Sequence, residues 1–289
     1  TDALWSDFDN DGKPDLVISG EWMPVSFFKN TGKGFVSVNE TSGIAGHVGW
    51  WNSLTAGDFD HDGDIDYIAG NLGLNSNYQA SPQEPMTIYA KDLDHNGQTD
   101  AMVFCYILAE DGTRKPFPMT SRDDMVSQMQ SIRKKYPTYK SYGLATMDDL
   151  WTPKDREGAL VYKATDMASS YIENLGNGHF KISPLPIEAQ EAPVYGMLSE
   201  DVDGDGNLDL LLVGNDYGME PYSGRHDAFM GLYMNGNGKG SFSPLPLSES
   251  GFFIKGDGKG LALVHSAKNE DLLIATQNED SVKVFSTSS

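Results

Sequence analysis

Short apolar runs of β-type composition recur along the chain, each entered from a polar segment. Leu16-Val17-Ile18, Tyr67-Ile68-Ala69, Ala101-Met102-Val103-Phe104 and Leu210-Leu211-Leu212-Val213 are the clearest. Runs this short, bounded by turn residues, predict strands rather than helices. Gly20, Gly70 and Gly214 close three of them. A second pattern lies downstream, in Phe27 to Phe35, Tyr171 to Phe180 and Leu232 to Gly238, where two apolar stretches flank an Asn/Gly turn. Asn and Gly tolerate the positive φ of tight hairpins, so these stretches predict strand–turn–strand. The repeated unit is strand, polar loop, strand, hairpin, which makes four short strands. An all-β fold of four-stranded units follows.

A fifth unit keeps the apolar strands (Leu261 to Val264, Asp271 to Asn278, Ser281 to Phe285) but has no acidic loop. The strands therefore carry the fold and the loops are added to it. One stretch breaks the pattern. Ser121 can cap a helix with Asp123 and Asp124 in its first turn, and Met125, Met129, Ile132 and Tyr136 fall on one face. Arg133, Lys134 and Lys135 suit its C-terminus, and Pro137 ends it. Thr152-Pro153 predicts a second short helix start. Residues 119–157 are thus expected as a helical insertion within one repeat domain spanning 1–289.

The polar loops carry the chemistry. Four share the pattern Asp-x-Asp-x-Asp/Asn-Gly-x-x-Asp: Asp7, Asp9, Asp11, Lys13 and Asp15 at its odd positions; Asp58, Asp60, Asp62, Asp64 and Asp66; Asp92, Asp94, Asn96, Gln98 and Asp100; Asp201, Asp203, Asp205, Asn207 and Asp209. Calcium takes six to eight hard oxygens in flexible geometry, and alternating carboxylates on a coiled loop supply them. Glycine at position 6 permits the bend, position 7 offers its backbone carbonyl, and the aspartate at position 9 closes the shell as the strand begins. The glutamate that an EF-hand needs at position 12 is replaced by Ile18, Ala69, Val103 and Leu212, which excludes that fold. Magnesium prefers a stricter octahedron. Zinc and copper favour His or Cys, and His61 and His95 stand at position 4, expected to point away. The Asp92 loop, with Asn96, is expected to bind most weakly, and the Asp58 loop, with the extra Asp64, to be the tightest or the most charge-tolerant. A single match of this kind would be an ordinary solvated acidic turn, but four, each feeding an apolar strand, are not.

These loops explain the charge. The chain has 42 acidic and 21 basic residues, a net charge of −21; the loops hold sixteen aspartates, and removing them leaves −5. Such acidity argues against nucleic acid and anionic membranes as partners. Cys105, the single cysteine, sits in an apolar run and is expected to be buried and inert. No stretch is long and apolar enough to span a membrane. The abrupt start, Thr1-Asp2-Ala3-Leu4-Trp5 directly in a strand, is expected of a fragment or a processed form. Loops of this kind bind calcium at extracellular rather than cytosolic concentrations, which predicts a location outside the cell.

The four loops and their strands resemble the FG-GAP/VCBS-repeat family, the calcium-loop β-propellers of integrin α-subunit heads and bacterial surface proteins. Gly49 to Ser53, Gly70 to Asn75 and Gly251 to Phe253 are similar to the bacterial branch found in outer-membrane-associated proteins. The resemblance implies a propeller of six to eight blades in the full protein, about four structural Ca2+ ions, and ligand binding away from the ion loops. The expected function is non-catalytic binding of glycan or protein at the cell surface, with an accessory role in an outer-membrane uptake complex as one form of it. Trp22, Trp50, Trp51, Tyr78 and Tyr217 are candidate contacts, with Asn71, Asn75 and Asn77 as polar partners; for each, ordinary packing is the competing explanation. The alternative is a propeller-type lyase or dehydratase acting on carbohydrate, using His47, Tyr222, Arg225, His226 and Asp227 as acid–base groups.

Overall fold

The computed structural model describes residues 1–219, 223–265 and 271–286. The chain divides into two compact units, one of Thr1–Ser76 with Met167–Ser289 and one of Asn77–Asp166.

Among the described residues the first unit holds three four-stranded antiparallel sheets, a three-stranded one and a two-stranded one. The first sheet is Asp2–Ser6, Asp15–Ser19, Ser26–Asn30 and Phe35–Ser37. The second is Ser53–Gly57, Asp66–Gly70, Ser170–Asn174 and Phe180–Pro184. The third is Val194–Glu200, Asp209–Gly214, Leu232–Gly236 and Phe242–Pro244, and the fourth Gly258–His265, Asp271–Gln277 and Lys283–Ser286. Strands within each sheet are ordered as they occur along the chain, so every sheet is a meander.

Alternate residues serve alternate neighbours. Val17 and Phe27 of the first sheet cluster with Tyr67, Ala69 and Ile172 of the second. Ile68 and Tyr171, on the second sheet's other face, cluster with Leu210, Leu212 and Met234 of the third. Leu211, Val213 and Tyr233 then meet Leu273 and Ala275 of the fourth. A strand covered on both faces needs an unbroken apolar run, which is why these runs do not alternate with polar residues. The first strands also lie side by side: Asp2–Ser6 packs beside Ser53–Gly57, that beside Val194–Glu200, and that beside Gly258–His265. Stacked four-stranded meanders with adjoining first strands form an all-β, propeller-like architecture.

The glycine that ends the second strand is required by a close approach. A Cβ at Gly214 would collide with the carbonyl oxygen of Pro193, and one at Gly70 with Ser53 Oγ and the Val194 carbonyl oxygen. Backbone cannot yield as a side chain can, so Gly214→Ala is expected to cost about 2–3 kcal/mol, the upper range of overpacking. Thermal or urea unfolding of the variant measures this.

The second sheet is completed only after a long detour. Its strand Asp66–Gly70 pairs with Ser170–Asn174, and the chain leaves and returns at one place. Gly73 N donates to Met167 O at 2.8 Å, and Asn71 N to Ser169 Oγ at 3.0 Å. Close ends of this kind let a separate unit be inserted without disturbing the sheet. The irregular motif spacing follows. Starts lie 51 residues apart from Asp7 to Asp58 but 143 from Asp58 to Asp201. Without the 90 residues of Asn77–Asp166 the second interval falls to 53, so the period is kept.

The second unit contains the Asp92 loop in a sheet of different connectivity. Its order is Arg114–Pro118, Asp100–Leu108, Met86–Lys91, Leu160–Ala164, so the last strand pairs with the first strand rather than the third. The helices Arg122–Gln128, Ser131–Lys135, Tyr139–Gly143 and Met147–Leu150 lie between its third and fourth strands. Ser121 caps the first as expected, accepting from Asp124 N. The expected single helix is broken, however: Met129 takes extended dihedrals (φ −131°, ψ 104°). Met125, Met129, Ile132 and Tyr136 nonetheless share one core with Met102, Phe104 and Trp151. Thr152-Pro153 opens a run of turns rather than a helix; Thr152 still caps it, accepting from Asp155 N at 3.3 Å. Cys105 is buried, and desolvation pushes its thiol up to about 11, outside the reactive range.

Candidate metal centres

Each acidic loop joins the first strand of its sheet to the second, and its backbone is built by its own carboxylates. The position 1 aspartate accepts from backbone N–H groups four or five residues on. Asp7 takes Asp11 N (3.0 Å) and Gly12 N (2.8 Å), Asp92 takes Asn96 N and Gly97 N (3.0 and 2.9 Å), and Gly206 N donates to Asp201 at 3.0 Å. In the Asp58 loop, Gly63 N donates to Asp58 at 3.2 Å. Position 5 accepts from the N–H of position 7, as in Lys13 to Asp11 at 3.0 Å, Asp64 to Asp62 at 2.9 Å and Asn207 to Asp205 at 2.8 Å. Two residues per loop are left-handed. Glycine at position 6 has φ between 81° and 93°, and position 4 has φ of 56° at Asn10, 63° at His61, 60° at His95 and 78° at Gly204. Asn and His tolerate this region better than branched residues, which explains the position 4 residues that the sequence left without a role.

The position 9 aspartate is buried in all four loops: Asp15, Asp66, Asp100 and Asp209. Asn30 N donates to Asp15 Oδ1 at 2.6 Å, Asn174 N to Asp66 Oδ1 at 2.8 Å and Gly236 N to Asp209 Oδ1 at 3.0 Å, so this carboxylate ties the loop to the third strand. Tyr171 and Tyr233 add hydroxyl donors at 2.7 and 2.8 Å. By strand register the equivalent residue of the first sheet is Phe27, which has no hydroxyl to give. Burial pushes the Asp66 carboxyl up to about 6 and raises those of Asp15 and Asp209. Ionised carboxylates are costly here without a nearby positive charge.

Three ligand oxygens converge in every loop, within 4.8 Å of one another: from Asp7, Asp9 and Asp15; Asp58, Asp60 and Asp62; Asp92, Asp94 and Asp100; and Asp201, Asp203 and Asp209. Asp9 Oδ1 and Asp58 Oδ1 are buried and accept no hydrogen bond. Buried acceptors of this kind suit a hard cation, and the donor set is oxygen throughout. Loops also touch one another: Asn10 Nδ2 donates to Asp64 Oδ1 at 2.6 Å, and His61 Nε2 lies 3.0 Å from Asn207 Oδ1. His61 thus points away from its own loop, to the next.

The aromatic candidates lie elsewhere. Trp51 is fully buried in the core between the first two sheets, a packing residue rather than a contact. Trp22 and Trp50 are half-buried and meet edge-on, ring centroids 5.4 Å apart. Both lie at the strand ends opposite the acidic loops: Glu21–Met23 pairs with Gly49–Trp50 through a bulge that puts Trp22 at φ 59°. Left-handed backbone is uncommon for a bulky residue. Tyr217 donates to Lys255 O at 3.1 Å and carries the Arg225 guanidinium over its ring at 5.0 Å. Tyr78 and Asn77 belong to the second unit. Asn71 is buried and accepts from Trp50 N at 3.1 Å and Leu72 N at 2.8 Å, while Asn75 donates to Glu191 O at 3.1 Å. His226 is buried, bridged by its backbone to Asp216, and desolvation lowers its imidazole pKa. Asp227 is exposed and His47 half-exposed. Tyr222 lies outside the described residues.

Fold and loops together define a β-propeller-like repeat protein with carboxylate clusters at the loop end of its sheets. Residues 7–69, from the Asp7 loop to the strand after the Asp58 loop, match the family model of an FG-GAP-like repeat, and the chain carries that repeat. No curated protein matches the chain.

Proposed function

We propose that the protein is a calcium-stabilised, non-catalytic binding module, its sheets forming part of a closed propeller of six to eight blades. The observation that carries this reading is the division between the two ends of the sheets. One end repeats a cluster of converging carboxylates that tolerate one another when a divalent ion lies among them. The other end presents the half-buried Trp22–Trp50 pair, whose ring faces suit stacking on a sugar. The buried His226 and the Arg225 stacked on Tyr217 support binding rather than proton transfer. Extracellular calcium, abundant enough for weak loops, supports a cell-surface location, with an outer-membrane uptake complex as the setting in which a glycan-binding accessory subunit serves. Among the described residues no helix is long and apolar enough to cross a membrane.

A glycan array probed with wild type and Trp50→Ala, in calcium and in chelator, tests this. The expected result is binding in calcium that Trp50→Ala abolishes while the variant remains folded at the assay temperature. Binding unchanged by Trp50→Ala would move the ligand elsewhere, and turnover of a bound polysaccharide would replace the reading with an enzyme.

A further inference from the structure

One position on the third strand lies beside the acidic loop in three sheets of the first unit. Strand register fixes the equivalence: Phe28 lies opposite Leu16, Ile172 opposite Tyr67, and Met234 opposite Leu210. The next residues, Lys29, Glu173 and Asn235, therefore occupy one structural position in three sheets. Their charges are +1, −1 and 0.

Two of them contact the position 3 aspartate of their loop. Lys29 Nζ pairs closely with Asp9 and lies 3.3 Å from Asp11 Oδ2. Its ammonium is a cation supplied by the chain itself, seated among loop carboxylates, and Lys13 adds a second contact to Asp11 at 2.9 Å. Asn235 Nδ2 is 3.5 Å from Asp203 Oδ2, and its Oδ1 is buried with no hydrogen-bond partner. That leaves a neutral oxygen at the Asp201 loop. Glu173 brings a carboxylate to the same register position beside the Asp58 loop, and Lys181 holds it from its other side at 2.6 Å.

We infer that this third-strand residue selects the cation of its loop. Lys29 neutralises the Asp7 loop in place of a divalent ion, Asn235 leaves the Asp201 loop open to one, and Glu173 adds negative charge that draws one to the Asp58 loop. The inference rests on the reading that the loops take divalent cations, and it ranks them. A divalent ion entering the Asp7 loop must displace the ammonium or sit beside it, and like charges a few ångströms apart repel strongly at a half-buried site. The loop aspartates alone do not give this ranking, because the Asp7 and Asp201 loops carry the same four aspartates.

Calorimetric titration of the full chain with calcium alone tests it, comparing wild type with Lys29→Asn, Lys29→Gln and Glu173→Asn. Lys29→Asn and Lys29→Gln are each expected to add one calcium site, or to tighten one by about tenfold or more. Glu173→Asn should weaken one site and leave the others in place. In chelator, Lys29→Asn should melt below wild type, and calcium should restore it, since the ion replaces the lost ammonium. Calcium binding with the same number and affinity of sites in wild type and both Lys29 variants overturns the selector alone. No calcium uptake by any of the proteins overturns the cation reading, and the selector with it.

Discussion

Asp66→Ala is expected to be among the most damaging single substitutions in the protein, costing on the order of 3–5 kcal/mol. The carboxylate is fully buried and accepts from Asn174 N and from the Tyr171 hydroxyl. Removing it leaves both donors buried without an acceptor, and each orphaned group costs about 1–3 kcal/mol. It also unties the acidic loop from the third strand, at the place where the chain has just returned from the inserted unit. Asp66→Asn should cost roughly half as much, because the amide oxygen can accept from Asn174 while the tyrosine hydroxyl turns to accept from the amide nitrogen. Denaturant unfolding in chelator isolates this effect from ion binding. A cost below about 1 kcal/mol for Asp66→Ala would mean that the clamp is not what holds the loop.

Chelation is the second large effect. With free calcium near ten times the dissociation constant, each occupied loop adds about 1.4 kcal/mol. The Asp58 and Asp201 loops of the first unit together account for roughly 3 kcal/mol, which lowers its melting temperature by about 5–10 °C when calcium is withdrawn. Asp60→Ala should reproduce more of this loss than Asp94→Ala, since Asp60 lies in the loop with the most negative surroundings. Calorimetric melts with and without chelator read both effects. Superimposable curves would remove the structural role of the ions.

Strands, hairpins and loops were legible in the sequence because each has a local cause. Apolar runs covered on both faces, Asn/Gly turns and alternating aspartates all act within about ten residues. What escaped reading depends on pairing across the chain. The inserted unit shows in sequence as uneven spacing, but its limits follow from Gly73 meeting Met167, which no local pattern announces. Lys29 reads as an ordinary hairpin lysine until register places it over Asp9. Tyr171 and Tyr233 likewise read as core aromatics, and only their pairing with Asp66 and Asp209 shows the hydroxyl at work. Of the aromatic candidates, Trp51 was the one that packing claimed. The position 4 residues could have been found: Asn, His, His and Gly at one site of four loops are what a left-handed backbone admits.

Anomalous diffraction from crystals grown with calcium puts the ion question most directly. Strong peaks are predicted between Asp58, Asp60 and Asp62 and between Asp201, Asp203 and Asp209. Well-ordered loops without a peak at either place, their carboxylates joined only to water or to lysine, would contradict the account.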